Sequence, residues 1–131
     1  MIVLDTCALV FDALTPARLT AKARKAIEAA DREAALACSD ISLWEVAMLI
    51  KKGRLDPGTD CLSFLEAALG ARAIRVLPIT PEIAALSVAL DSLVQQDPAD
   101  RIIAATTVHH HATLVTSDEG LRNAGEVSTL W

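Results

Sequence analysis

The sequence predicts an α/β fold with three layers, α/β/α, around a mostly parallel central sheet. Short apolar and β-branched runs alternate along the chain with longer helical patterns, and this alternation is typical of a parallel sheet covered by helices on both faces. The chain has 131 residues, of which 53% are hydrophobic, and that suits one domain with a buried core. Because no repeat or Gly/Ser-rich linker interrupts it, we expect residues 1–131 to form a single domain.

The elements follow one another in a regular order. Strands are predicted at residues 2–5, 35–39, 74–79 and 113–116, with a weaker one at 127–130. Helices are predicted at residues 16–30, at 42–52, and at 59–69 after an Asp-Pro-Gly turn. The fourth helix begins at Pro81, after Thr80, and the fifth begins at Pro98, after Asp97, and runs to about His110. A capping residue followed by proline is a typical helix start.

Charge and cysteine content exclude several classes of protein. The net charge of −5 has the wrong sign for a protein that coats DNA, since phosphate neutralisation needs Lys and Arg. It permits an enzyme that meets phosphates through bound cations. The three cysteines show no CxxC spacing, which favours reduced thiols in a cytoplasmic protein. No apolar run is long enough to cross a membrane, and we expect no secretory leader, because the chain opens directly on a strand.

Four acids stand at the ends or on the exposed faces of predicted elements. Asp5 follows the first strand and Asp118 follows the fourth, so a parallel sheet delivers both to the same edge. Glu45 is the only charged residue between positions 41 and 50 of an apolar helix. Asp100 lies in the first turn of the fifth helix, at the same edge of the sheet. Taken singly, each acid also fits a structural role: a turn, a helix-dipole contact or an ion pair with a core arginine.

Clustered together, these four carboxylates would repel one another and raise one another's pKa values. Divalent cations relieve that repulsion, and oxygen ligands suit Mg²⁺ or Mn²⁺. A metal held there lowers the pKa of an attacking water and orients a phosphodiester, with no protein nucleophile required. We therefore predict that Asp5, Glu45, Asp100 and Asp118 are metal ligands and catalytic residues.

Three polar neighbours have two interpretations each. The hydroxyls of Thr6 and Thr116 either orient a carboxylate or a metal-bound water, or serve in ordinary turns. Glu119 is either a fifth acid near the metal or a cap for the short helix that follows. Asp97 is expected to be a structural N-cap whose side chain accepts a hydrogen bond from the backbone N–H of Ala99 or Asp100.

Other conspicuous residues have structural interpretations. Trp44 is expected to be a packing residue, and the histidines at 109–111 to complement a helix dipole. Lys51, Lys52 and Arg54 either contact phosphate or form a solvated helix end. The helix over residues 41–50 is apolar around nearly its whole circumference, which predicts a symmetric homodimer contact.

The acidic segments resemble those of PIN domains. The resemblance lies in residues 3–9 (VLDTCAL), 41–47 (ISLWEVA) with 51–55 (KKGRL), 97–101 (DPADR) and 114–118 (LVTSD), in that order. Within that family, the sequence is most similar to VapC-type toxins. This resemblance implies a Mg²⁺- or Mn²⁺-dependent RNA endonuclease that is inhibited by a small antitoxin. DNA contact is then indirect, through the antitoxin. One departure is Ala99, where the family usually has a bulky residue; it is expected to alter packing at the pocket rim.

Other functions fit the residues less well. A phosphate-accepting receiver domain needs an acidic pair after the first strand and a late lysine, and neither is present. A non-catalytic PIN-like module that only binds an antitoxin is disfavoured, because all four acids are retained. A housekeeping RNA-processing nuclease is a further alternative within the family.

Overall fold

The computed structural model describes residues 1–131 and contains one five-stranded sheet in which every pairing is parallel. The strands lie in the order β3-β2-β1-β4-β5. They are β1 (Ile2–Leu4), β2 (Leu36–Ser39), β3 (Arg75–Leu77), β4 (Thr113–Val115) and β5 (Thr129–Leu130). All five predicted strands are therefore confirmed, each at slightly narrower bounds.

Seven α-helices and two 3₁₀ turns connect the strands. The helices are α1 (Thr6–Leu14), α2 (Ala21–Arg32), α3 (Asp40–Lys51), α4 (Cys61–Ala71), α5 (Pro81–Ala89), α6 (Pro98–His109) and α7 (Glu119–Arg122). The 3₁₀ turns are Pro16–Arg18 and Asp91–Leu93. The helix predicted at residues 16–30 is divided: Pro16 opens a 3₁₀ turn, and α2 begins later, after Thr20.

The sheet has a hydrophobic core on each face, which confirms the three-layer architecture. Successive residues of a strand point to opposite faces, so Val3 of β1 joins one core and Leu4 the other. The first core packs β-strand side chains against α5, α6 and α7. The second packs them against α1, α2, α3 and α4.

Side-chain caps begin most of the helices. Thr20, Asp60, Thr80 and Asp97 each accept a hydrogen bond from the backbone N–H three residues later. Such bonds satisfy donors that the first helical turn leaves free. Asp5 is different: it occupies the N-cap position of α1, yet its side chain makes no cap hydrogen bond.

Helix α1 is an element that the sequence analysis did not predict. Its residues are apolar on nearly every side, with four buried positions among nine, and it follows β1 after a single residue. A helix without alternating polar and apolar faces lacks the 3.6-residue periodicity that predicts helices. The N-cap residue of α1 is Asp5, whose side chain makes no capping hydrogen bond. None of the helices has the length and apolar character needed to cross a membrane.

Candidate active site

An acidic pocket opens beside the carboxyl ends of β1 and β4. These strands are neighbours at the centre of the sheet, but the helices that follow them, α1 and α7, contribute to opposite cores. A parallel sheet has a crevice at such a reversal of direction. The cavity there has a volume of about 490 Å³ and contains all four predicted acids and one more: Asp5, Glu45, Asp97, Asp100 and Asp118.

Asp5 is held by a threonine from the neighbouring strand. The residue is only 5% exposed, although it lines the pocket. The hydroxyl of Thr116 donates a hydrogen bond of 2.6 Å to Asp5 Oδ2. Burial raises the pKa of Asp5, and the Thr116 hydrogen bond opposes that rise. Thr116 also accepts a hydrogen bond from the backbone N–H of Asp118 over 3.1 Å.

Glu45 is held in the same way from α1. The hydroxyl of Thr6 lies 2.6 Å from Glu45 Oε1 and 2.9 Å from the Ser42 hydroxyl. A hydroxyl has one proton, and the carboxylate is the stronger acceptor, so Thr6 donates to Glu45. Burial raises the pKa of Glu45, while the Thr6 bond lowers it. Each threonine therefore orients the carboxylate of an acid that is distant from it in sequence.

Asp118 uses one carboxylate oxygen to begin a helix. Oδ1 accepts a hydrogen bond of 2.9 Å from the backbone N–H of Leu121, which caps α7. Oδ2 makes no hydrogen bond within the protein. Asp118 therefore has the structural role considered above, and its second oxygen, Oδ2, remains free for another partner.

Asp97 and Asp100 begin α6 together. Asp97 Oδ1 accepts a hydrogen bond of 2.9 Å from the backbone N–H of Asp100, as predicted for an N-cap. Asp97 also lines the acidic pocket, which the sequence analysis did not foresee. Burial, followed by the charges of Asp97, Asp5, Asp118 and Glu45, raises the pKa of Asp100 to about 7.

Three sequence-based expectations need correction or completion. Glu119 does not line the acidic pocket; it lies in the first turn of α7 beside a separate cavity that also contacts Arg122. Ser42, fully buried next to Thr6, was missed, although it stands three residues before Glu45 on the same face of α3. Trp44 is not a packing residue, because it is 58% exposed.

The other flanking residues have simpler outcomes. Lys52 and Arg54 line the acidic pocket and Lys51 does not. The histidines lie at the C-terminal end of α6, as expected. Ala99 is buried and does not line the pocket.

The pocket offers the kind of donor atoms that a hard cation prefers. None of its five acids is in an ion pair, since the salt bridges join Arg72 to Asp12 and Asp31. Burial raises the pKa of the Cys7 thiol to about 11, and thiols suit softer cations than Mg²⁺ or Mn²⁺. The carboxylates nevertheless stand further apart than ligands of one ion, because no group of three acidic, Cys or His side chains is close enough to hold a metal. The donor set fits Mg²⁺ or Mn²⁺ in kind.

Known proteins resemble this chain over nearly its whole length. The family model of the PIN domain matches residues 2–127. Ribonuclease VapC22 of Mycobacterium tuberculosis is 39% identical over 122 residues, which are 93% of this chain and 90% of that protein. In the crystal structure of VapBC2 from Rickettsia felis bound to a promoter DNA fragment, a chain superimposes with a TM-score of 0.75. The alignment is 19% identical and covers 99% of this chain and 98% of that one. FitAcB from Neisseria gonorrhoeae gives a TM-score of 0.70 at 23% identity, with 100% and 97% covered.

Proposed function

The chain belongs to the PIN-domain family, and from that premise we propose that it is a metal-dependent RNA endonuclease, the toxin of a type II toxin–antitoxin pair. The observation that carries the proposal is the pocket in which five carboxylates meet without a cationic partner. A pocket of unpaired carboxylates is costly for folding alone, since like charges raise one another's pKa values. Similarity to a ribonuclease of known family supports RNA as the substrate.

Asp5, Glu45, Asp100 and Asp118 would hold one or two Mg²⁺ or Mn²⁺ ions. The bound cation would supply a Lewis acid that polarises the phosphodiester and lowers the pKa of the attacking water. The protein's own contribution is orientation: Thr116 holds Asp5, and Thr6 holds Glu45. The capping bond of Asp118 uses Oδ1 and leaves Oδ2 without a hydrogen bond, in a residue that lines the pocket.

Asp97 has a supporting role in this proposal. Its side chain begins α6 and so positions Asp100. Its charge also faces the pocket and raises the pKa of Asp100. A carboxylate with a raised pKa gains most from a neighbouring cation, because the cation favours its charged form.

The proposed partner is a small antitoxin that holds the enzyme inactive in the cytoplasm. Chains similar to this one occur in DNA-bound VapBC and FitAB assemblies, in one of them on a fragment of promoter DNA. The acidic net charge of −5 favours association with a basic segment of such a partner. Contact with DNA would then be made by the antitoxin. A symmetric homodimer through the apolar surface of α3 completes this assembly.

A second candidate is a PIN-like module that binds an antitoxin without catalysis. The observation that favours it is the spacing of the acids, which do not close around a single ion. The two functions differ in a simple measurement. The antitoxin-free chain should cleave structured RNA, stop in EDTA and resume with added Mg²⁺.

The matched variants are Asp5→Asn and Asp91→Asn. Each removes one negative charge, but Asp91 is exposed at a 3₁₀ turn outside the pocket. Asp5→Asn should lose both cleavage and the heat of Mn²⁺ binding in calorimetric titration, whereas Asp91→Asn should keep them. Cleavage that survives chelation would overturn the metal-dependent reaction, and equal Mn²⁺ heats for Asp5→Asn and wild type would overturn the metal site.

A further inference from the structure

The most exposed aromatic side chain of the protein lies at the acidic pocket. Trp44 is 58% exposed and lines the cavity together with the carboxylates. It belongs to α3, whose buried residues, Ser42 and Val46, face away from it on the side of the core. Exposing an indole of this size to water is unfavourable unless the ring is covered by a partner.

The same edge of α3 also brings Lys52, one of two basic side chains, to the pocket. Trp44, Met48 and Lys52 are spaced four residues apart, so they follow one stripe of the helix. At 1.5 Å per residue, the stripe from Trp44 to Lys52 is about 12 Å long. Met48 and Lys52 line the pocket as Trp44 does.

Arg54 is brought to the pocket by the turn that ends α3. Gly53 has a φ of +70°, its N–H donates to the Ile50 carbonyl, and the Arg54 N–H donates to the Leu49 carbonyl. This pair of bonds is the Schellman arrangement, which reverses the chain direction at a helix end. Arg54 and Lys52 are the only basic residues among those that line the cavity.

We propose that this stripe of α3 is the path of a single RNA strand, with an unpaired base stacked on Trp44 and neighbouring phosphates bound by Lys52 and Arg54. The inference rests on the proposed function and assigns the form of the substrate. Every base has an aromatic face, so stacking on an indole binds single strands with little dependence on sequence. Bases within a duplex are already stacked on one another, and sequence-specific RNA binding accordingly targets loops and ends.

Charge favours RNA over a second copy of the chain along this stripe. A polyanion is repelled by five carboxylates and needs cations at the pocket edge, which is where Lys52 and Arg54 lie. A second copy of the chain seated on this stripe would bring another net charge of −5 against the same acidic pocket, so the proposed homodimer would use the apolar side chains of α3 outside the stripe.

The test is a fluorescence titration with an unstructured twelve-residue oligocytidine ribonucleotide. Ca²⁺ replaces Mg²⁺, and a gel confirms that the oligonucleotide remains intact. The protein has two tryptophans, and Trp131 packs near Phe11, away from the acidic pocket. Quenching should therefore persist in Trp131→Phe and disappear in Trp44→Phe.

Affinities give the second measurement. Trp44→Ala should weaken binding about ten- to hundredfold, the range expected for loss of one stacked base. Trp44→Phe should retain most of the affinity, because a phenyl ring also stacks. Lys52→Ala and Arg54→Ala should each lower the slope of log affinity against log salt by about 0.7, as for one single-strand phosphate contact.

Each outcome separates this inference from the proposed function. Wild-type affinity in Trp44→Ala, with its fold intact by circular dichroism, would overturn the stacking site while leaving the nuclease proposal standing. If Trp44→Ala binds RNA as wild type does but no longer forms a dimer in light scattering, Trp44 belongs to a protein interface. That result would also overturn the stacking site. A wild-type chain that neither binds nor cleaves RNA would overturn the proposed function itself, and this inference with it.

Discussion

The two threonines of the acidic pocket show how single residues make it possible to bury a carboxylate. Asp5 is 5% exposed and Thr116 is fully buried, so water has little access to the hydrogen bond between them. A charged acceptor in such a place needs a donor of its own. Thr116 supplies it from β4 and Thr6 supplies it to Glu45 from α1. The pocket is thus joined across elements by hydroxyls rather than by cations.

Thr116→Val should test this directly, since valine keeps the shape of the side chain and removes its hydroxyl. Both the bond to Asp5 Oδ2 and the bond from the Asp118 N–H are lost. Loss of a residue that orients a metal ligand typically costs about 10- to 100-fold in metal affinity or activity. We expect a loss of that size in Mn²⁺ affinity and in RNA cleavage.

Thr116→Ser is the matched control, because it retains the hydroxyl in a smaller side chain. It should recover most of the Mn²⁺ affinity. If the valine and serine variants bind Mn²⁺ equally well, the hydroxyl does not orient Asp5.

Asp100→Asn should stabilise the chelated protein at high pH. The folded-state pKa of Asp100 is raised from 3.8 to about 7, so between these values the unfolded chain gives up the proton before the folded one. The free energy of unfolding of the wild type therefore falls as pH rises through this window. The free energy of unfolding of Asp100→Asn does not fall in this way, because asparagine does not titrate. Because the side chain is partly exposed, we expect an advantage of only about 1 kcal/mol at pH 8, fading towards pH 4.

Urea denaturation in EDTA at pH 4, 6 and 8 measures the effect. Exposed Asp91→Asn removes the same charge outside the pocket and should change stability by less than about 0.5 kcal/mol. An Asp100→Asn variant that is less stable than wild type at pH 8 would mean that repulsion in the pocket is not a cost to the fold.

The acids were found from sequence because they follow strands or interrupt an apolar helix, and both are local patterns. Ser42 and Trp44 were not assigned correctly, since an apolar segment does not reveal which of its sides faces the sheet. Asp97 was recognised as a cap because the Asp-Pro pair is a local signal. Its place beside Asp5 depends on the docking of α6, which no local pattern contains.

At the scale of elements, the helices with capping residues and turn signals were predicted, and α1 was not. Helices α4, α5 and α6 begin at side-chain caps that the sequence shows directly. Helix α1 has no such bond and is apolar on most sides. Its N-cap residue, Asp5, is one of the acids that line the pocket. The side chain of Asp5 does not cap α1, and it accepts the hydrogen bond from Thr116 in the pocket instead.

Two glycines in different backbone conformations, one after α3 and one within α4, should respond oppositely to substitution by alanine. Gly53 has a φ of +70°, and alanine in the left-handed region costs about 1–2 kcal/mol. Gly70 lies within α4 with a helical backbone and open space around its Cα, so alanine there should stabilise by about 0.5–1 kcal/mol. Thermal unfolding of both variants measures the pair.

Gly53→Ala should also move Arg54, because the Schellman turn holds it at the pocket. If Gly53→Ala and Gly70→Ala both raised or both lowered the melting temperature, the assigned end of α3 would be contradicted.

For the whole molecule, the strand order creates the site. The sequence predicted a parallel sheet with acids at one edge, and this is confirmed. It could not show that β1 lies between β2 and β4, because the order of strands depends on long-range pairing. That order makes β1 and β4 neighbours at the reversal of the sheet and so brings together Asp5 and Asp118, which are separated by most of the chain.

The balance of charge gives the last prediction. The chain has 17 acidic and 12 basic residues, a net charge of −5, and five of its acids share one pocket. A cation that binds there only in the folded state must stabilise the whole fold, by about 2.7 kcal/mol at a concentration one hundred times its dissociation constant. For a chain of this size, that corresponds to a rise in melting temperature on the order of 10 °C. Mg²⁺ or Mn²⁺ should produce the rise, and NaCl at equal ionic strength should not, because general screening acts weakly on a buried cluster. Asp100→Asn should reduce the response to the divalent ion while Asp91→Asn preserves it. Equal melting temperatures in MgCl₂ and in matched NaCl would show that the acids do not act together as a cation site.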